Sequence, residues 1–125
     1  MVDTLGLVIG VIVTEGNAPE RVGAAMVLTE AEDKVEKLQL LWVDQGYTGE
    51  NFSRVVEQVC GAKVEVIKRN QKEFKILPKR WIVERTFGWL NWYRRLSKDY
   101  ELCPSTSEAM VYGSMTRLML RRLVA

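Results

Sequence analysis

Three short apolar runs, separated by segments of helical character, constrain the fold of this chain more than any other feature. The runs are LGLVIGVIVT (5–14), LQLLWVD (38–44) and KVEVIKR (63–69), and their β-branched residues and short length predict strands. The segments that follow the first two runs predict helices from GNAPE to about residue 33 and over about 49–60. Two more helices are predicted over 79–97 and 106–123, after a basic loop at 70–78. The order β-α-β-α-β-α-α indicates an α/β layer fold with a largely parallel central sheet.

Local signals place the ends of these elements. Asn17 and Thr48 are candidate N-caps, Gly61 is a candidate C-cap, and STSE (105–108) has the form of a capping box. A chain of 125 residues forms one domain at most, here 1–125. Because the first predicted strand begins almost directly at Asp3, we expect this domain to be incomplete at its N-terminus.

Charge is distributed unevenly along the chain. Residues 1–62 contain 4 Lys and Arg against 10 Asp and Glu, whereas residues 63–98 contain 11 against 3. The small overall charge of +2 therefore conceals an acidic half followed by a basic block. Such a block is typical either of a surface that tracks a polyanion such as nucleic acid or of a solvated basic face.

The sequence contains no histidine, which excludes Ser-His-Asp and Cys-His catalysis as well as His-ligated metal sites. Acid–base or metal chemistry must therefore fall to Asp and Glu. Cys60 and Cys103 lack metal-like spacing, and we expect two reduced, buried thiols in a cytoplasmic protein. The apolar run 5–14 is too short to cross a membrane.

Three carboxylates are candidates for one reactive site. Asp44 follows the second predicted strand directly, at the edge of an α/β sheet where sites usually form. Asp3 lies beside the first predicted strand, and Glu84 lies in the helix of RWIVERTFGWLNWYRRL (80–96). An all-oxygen ligand set of this kind suits Mg²⁺ or Mn²⁺. The alternative for Glu84 is an ordinary surface ion pair with Arg80 or Arg95.

Helical periodicity separates two faces of that helix. Ile82, Trp89, Tyr93 and Leu96 form the predicted core stripe, with Thr86 beside them. A second face carries the candidate Glu84 together with Arg80, Gly88, Asn91 and Arg95. Trp81 and Trp92 lie off the core stripe, so we interpret them as interface residues or as platforms for stacking bases.

VDTLGL, VDQGYTG and RWIVERTFGWLNWYRRLSKDYE, in this order and spacing, resemble the catalytic region of the DDE transposases of bacterial insertion sequences. The resemblance covers nearly the whole chain. It implies a ribonuclease H-like α/β fold, a mixed sheet flanked by helices, here lacking the usual leading strand. It also implies that Asp3, Asp44 and Glu84 are the catalytic residues and bind Mg²⁺ or Mn²⁺ for DNA cleavage and strand transfer.

DNA is the partner that this resemblance implies, and we expect a set of basic residues to contact it: Lys68, Arg69, Lys72, Lys75, Lys79, Arg80 and Arg95. The alternatives are a catalytically inactive transposase remnant that acts as a DNA-binding or interaction module, and an unrelated α/β interaction module. A separate N-terminal DNA-binding segment is a further expected partner. Since an unpaired strand at 5–14 would recruit another strand, we also expect a homodimer or higher oligomer.

Overall fold

The computed structural model describes residues 1–67 and 80–125, which fall into two compact units. The central unit is Glu15–Leu77, and the terminal unit combines Met1–Thr14 with Pro78–Ala125. The predicted loop at 70–78 and the end of the third predicted strand, 68–69, lie outside the described residues. Within the described ranges, no helix has the length and apolarity that crossing a membrane requires.

A small parallel sheet forms the centre of the central unit. Its strands are β1 (Leu40–Val43) and β2 (Lys63–Val66), paired in register from Leu40↔Lys63 to Val43↔Val66. The chain between them forms α2 (Glu50–Cys60), and Gly61 ends this helix in a left-handed conformation with φ of 68°. The sequence predicted both strands, the connecting helix and its C-cap. All four residues of β1 are only half-buried, although an apolar run of this kind is typical of a fully buried strand.

Helix α1 (Glu20–Glu30) and a 3₁₀ turn at Glu32–Lys34 precede the sheet. Over residues 15–67, the buried apolar side chains of this unit are Leu28, Ala31, Val35, Phe52, Val56 and Ala62. The predicted N-caps Asn17 and Thr48 are wrong: the N-cap positions are Pro19 for α1 and Gly49 for α2, and neither of these N-caps forms a side-chain hydrogen bond. The N-cap of α1 therefore lies two residues after the predicted one, and the N-cap of α2 lies one residue after it.

Two helices form most of the terminal unit. They are α3 (Arg80–Asn91) and α4 (Pro104–Val124), with a 3₁₀ turn at Arg94–Leu96 between them. Among its described residues, the buried ones are Gly6, Gly10, Ile82, Thr86, Leu90 and Met115. The predicted capping box does not form, because α4 begins at Pro104 with Cys103 as its N-cap residue. The Glu108 side chain instead accepts a hydrogen bond from Val13 N at 2.9 Å.

The prediction of a strand over 5–14 is wrong. The first ten residues turn back on themselves, with an isolated antiparallel bridge between Val2 and Val8 and a hydrogen bond from Ile9 N to Met1 O at 3.0 Å. Further along, Val11 N donates to the Tyr112 hydroxyl at 3.1 Å. Side chains of α4 thus satisfy backbone donors that a neighbouring strand was expected to satisfy.

Gly6 makes this turn possible, because its φ is 82°, in the region that disfavours side chains. A Cβ at this position would lie 2.9 Å from Thr86 Oγ1 and 3.1 Å from the Trp89 ring. We therefore expect Gly6→Ala to lower the free energy of unfolding by about 1–3 kcal/mol. Urea denaturation measures the change.

Gly113→Ala is the matched control for that substitution. Gly113 lies within α4, and a Cβ there meets none of the described residues within 4 Å, so alanine should raise the stability by about 0.5–1 kcal/mol through its helix propensity. Equal stability of the two variants would contradict the close packing around Gly6.

Both cysteines are free thiols, but the expectation of burial is wrong for Cys103, which is exposed, while Cys60 is half-buried. The hydrogen bonds of Cys103 with the Ser105 side chain and with backbone groups at the start of α4 lower the pKa of its thiol. Cys60 donates to Val56 O at 3.1 Å inside α2.

Candidate active site

Asp44 lies where the sequence predicted it, directly after β1. Its backbone is extended, and its Oδ1 accepts a hydrogen bond from Gly46 N at 3.0 Å, so that it caps the 3₁₀ turn Gln45–Tyr47. The side chain is exposed. A short side chain that is fixed by a backbone N–H and still open to solvent is suited to bind a cation or a polar substrate.

A second carboxylate, which the sequence did not indicate, lies beside the Asp44 turn. Glu20 begins α1, and its carboxylate packs so closely on Gly46 that a Cβ there would collide with it and would lie 3.2 Å from Asp44 Oδ1. Burial raises the pKa of Tyr47, and the charges of Glu20 and Asp44 raise it further. The spacing of 24 positions between Glu20 and Asp44 carries no local signal that could have indicated this contact.

Glu84 lies on the exposed face of α3, as the helical periodicity predicted. Gly88 and Asn91, which share this face, are also exposed, and a Cβ at Gly88 would meet no described residue within 4 Å. The opposite face carries the buried Ile82, Thr86 and Leu90. This arrangement leaves room for a ligand next to the Glu84 carboxylate.

The predicted core stripe of α3 is only partly buried. Ile82 and Thr86 are buried, whereas Trp89 and Tyr93 are half-buried. The Arg85 and Arg122 guanidinium groups lie over the Trp89 ring, at 4.7 and 4.4 Å from its centroid. Trp81 and Trp92 are exposed, Trp92 to 89 %, as expected for residues off the stripe.

Asp3 organises the N-terminal turn. Its Oδ1 accepts hydrogen bonds from Leu5 N at 2.9 Å and from Leu7 N at 2.8 Å, and its own N–H donates to Leu7 O at 2.9 Å. The residue is half-buried. Its own turn therefore holds the Asp3 side chain in place.

The three predicted carboxylates belong to two units: Asp3 and Glu84 to the terminal unit, and Asp44 to the central unit. Within the ranges 1–67 and 80–125, no cluster of three or more Asp, Glu, Cys or His side chains has a geometry that could hold a metal ion. The donor set itself fits a hard cation, because it is all oxygen and the hydrogen bonds described for Asp3 and Asp44 use Oδ1 alone.

The predicted DNA contacts lie mostly outside the described residues, namely Lys68, Arg69, Lys72, Lys75 and Lys79. Arg80 is the first residue of α3. Arg95 lies in the 3₁₀ turn after α3, where its Nε forms an ion pair with Glu101. The hydrogen bond and charge of Glu101 raise the pKa of Arg95, so this cation already has a partner within the chain.

Comparison with known proteins identifies the family. Residues 41–121, more than half of the chain, match the model of the transposase DDE domain. Asp44 and Glu84 lie within this match and Asp3 lies before it. The chain is also 29% identical, over 85 residues, to a curated Burkholderia cepacia protein named as the transposase of insertion sequence element IS402.

The alignment with that relative covers 67% of this chain and 37% of the relative, so the chain spans well under half of the relative's length. No solved structure is significantly similar to the chain. The mixed α/β architecture, with a parallel pair of strands and flanking helices, is compatible with a ribonuclease H-like domain. The match over 41–121 includes two of the three predicted catalytic carboxylates, and the chain belongs to the transposase DDE domain family.

Proposed function

We propose that this chain is the catalytic part of a DNA transposase, in which Asp3, Asp44 and Glu84 carry out metal-dependent cleavage and transfer of DNA strands. The observation that carries the proposal is the placement of Asp44 and Glu84. Both side chains are exposed, one fixed at the end of β1 and the other on the open face of α3, and both lie inside the family match.

The carboxylates would hold Mg²⁺ or Mn²⁺, since DDE transposase domains generally use divalent metal ions and the donors are all oxygen. When bound, such ions would supply the activation of the attacking water or 3′-hydroxyl and the stabilisation of the leaving oxygen of a phosphodiester. Asp44 contributes an oxygen on a turn braced by Gly46 N–H. Glu84 contributes a longer side chain on a rigid helix, beside the open surface at Gly88.

The basic residues would bind the DNA backbone. The block at 63–98 provides phosphate contacts without a recognisable base-reading motif, so binding should depend weakly on sequence. A second copy of the chain, or a separate N-terminal DNA-binding segment, would be a further partner in the assembled transposase.

The alternative is a catalytically inactive remnant that binds DNA or another protein. One observation favours keeping it: Asp3 lies outside the family match, and this carboxylate already holds a turn through Leu5 N and Leu7 N. A chain of this kind would bind DNA without cleaving it.

The deciding experiment measures Mn²⁺ binding and the nicking of a supercoiled plasmid by the purified chain. We expect saturable Mn²⁺ binding, monitored by the loss of the free-ion electron paramagnetic resonance signal, and nicking that requires Mn²⁺ or Mg²⁺ and stops when EDTA is added. DNA binding without metal-dependent nicking would instead support the inactive remnant.

A further inference from the structure

Two residues that follow Glu84 directly, Arg85 and Thr86, reach the backbone of the Asp3 turn from α3. We propose that they are positioning residues, which fix the turn that carries Asp3 against the helix that carries Glu84. This inference rests on the proposed function, because a fixed placement of the two carboxylates matters only if they act together.

Thr86 provides the first connection. The residue is 3 % exposed, and its hydroxyl lies 2.6 Å from Gly6 O and 3.0 Å from Ile82 O. A hydroxyl has a single proton to donate, and the shorter distance assigns it to Gly6 O. Since a buried hydroxyl needs a partner, Thr86 ties the turn to α3 with a contact that neither side can lose without cost.

Arg85 provides the second connection. Its Nη2 donates to Leu5 O at 2.8 Å, and its guanidinium carbon lies 4.5 Å from the Trp81 ring centroid and 4.7 Å from that of Trp89. Its Nε is buried and has no hydrogen-bond partner among the residues that the structure describes. The two indoles stabilise the cation, so the donor is held where the turn needs it.

The two connections act on one short segment. Leu5 and Gly6 offer their carbonyl groups to Arg85 and Thr86, while the N–H groups of Leu5 and Leu7 point to Asp3 Oδ1. The peptide groups between positions 3 and 7 therefore link the Asp3 carboxylate to α3 within two residues of Glu84. Supporting contacts of this kind set the orientation of metal-binding side chains.

The test compares Thr86→Val with Thr86→Ser in the full chain. Valine keeps the shape of threonine and removes the hydroxyl, so the Leu5 and Leu7 amides should exchange with solvent faster, and Mn²⁺ affinity and plasmid nicking should fall by roughly 10- to 100-fold. Serine restores the hydroxyl and should bring Mn²⁺ affinity back to within about threefold of the wild type. Amide exchange is followed by NMR and Mn²⁺ binding by electron paramagnetic resonance.

Thr116→Val is the matched control. The Thr116 hydroxyl also donates to a carbonyl four residues earlier in its helix, Tyr112 O at 2.8 Å. The residue is exposed on α4, so the removal of its hydroxyl should leave the Mn²⁺ affinity unchanged. If Thr86→Val is unfolded at the assay temperature, Arg85→Met takes its place. Methionine keeps an unbranched apolar chain next to the indoles and lacks the hydrogen-bond donor. This variant should show the same faster amide exchange and the same loss of Mn²⁺ affinity and nicking.

The outcomes separate this inference from the proposed function. A wild-type chain that binds no Mn²⁺ and nicks no DNA overturns both. A wild-type chain that does both, beside a Thr86→Val variant with unchanged amide exchange and Mn²⁺ affinity, overturns the positioning role alone. A loss of Mn²⁺ affinity that serine fails to restore also overturns it, because the hydroxyl would then not be the cause.

Discussion

Replacing Glu84 by Gln, or Asp44 by Asn, is expected to reduce metal-dependent DNA nicking by at least about a thousandfold, because removing one member of a catalytic set removes most of its rate enhancement. Each substitution removes a negative charge while keeping the size of the side chain. Both residues are exposed, so the free energy of unfolding should change by no more than about 0.5 kcal/mol. Initial nicking rates at saturating Mn²⁺ and thermal melts measure the two quantities.

Matched controls for these variants are available in the central unit. Glu57 is an exposed helical glutamate in α2, and Asp33 is an exposed aspartate in the 3₁₀ turn after α1. Glu57→Gln and Asp33→Asn should nick DNA at the wild-type rate. Equal metal-dependent nicking by the Glu84→Gln variant and the wild type would rule out the catalytic assignment of Glu84.

The affinity for duplex DNA is expected to fall by roughly a thousandfold between 50 and 200 mM salt, because about six neutralised phosphates release their counterions on binding. Filter binding or fluorescence anisotropy at several salt concentrations gives the slope of log affinity against log salt. Lys68→Gln combined with Lys72→Gln should reduce the magnitude of that slope by about 2.

Lys34→Gln combined with Lys37→Gln is the control for this double variant, since both lysines lie in the acidic part of the chain and should leave the slope unchanged. Arg95→Gln should reduce the magnitude of the salt slope less than the substitution of one lysine of the block does. The reason is that Arg95 must break its ion pair with Glu101 before it can bind a phosphate. An affinity that does not change with salt would contradict phosphate binding by this block.

Sequence patterns predicted an element correctly where its structure is determined by its own residues. The apolar run ending at Asp44 became β1, Gly61 ended α2, and the periodicity of α3 placed Glu84 on the exposed face and Thr86 on the buried one. The sequence placed Thr86 beside the predicted core stripe, and the structure identifies Gly6 O as the acceptor of its hydroxyl.

Sequence patterns gave wrong predictions where residues far apart in sequence form hydrogen bonds with the same backbone groups. The β-branched residues of 5–14 predicted a strand, but Asp3 and Gly6 fold the start of the chain into a turn, and α4 satisfies Val11 N and Val13 N. Glu108 was assigned to a capping box and serves Val13 N instead. The contact between Glu20 and the Asp44 turn joins two elements whose sequences show no sign of it.

The terminal unit is built from two chain segments that are far apart in sequence, and this affects the order in which the chain folds during synthesis. The bonds that hold its first segment join residues 80, 95 and 101 positions apart, whereas the central unit is a continuous stretch, Glu15–Leu77. At roughly 5–20 residues per second, the ribosome makes residues 1–14 several seconds before their partners in α3 and α4. The central unit can fold before the partners of the apolar N-terminal segment have been synthesised. During this delay the segment is exposed to other chains and to chaperones.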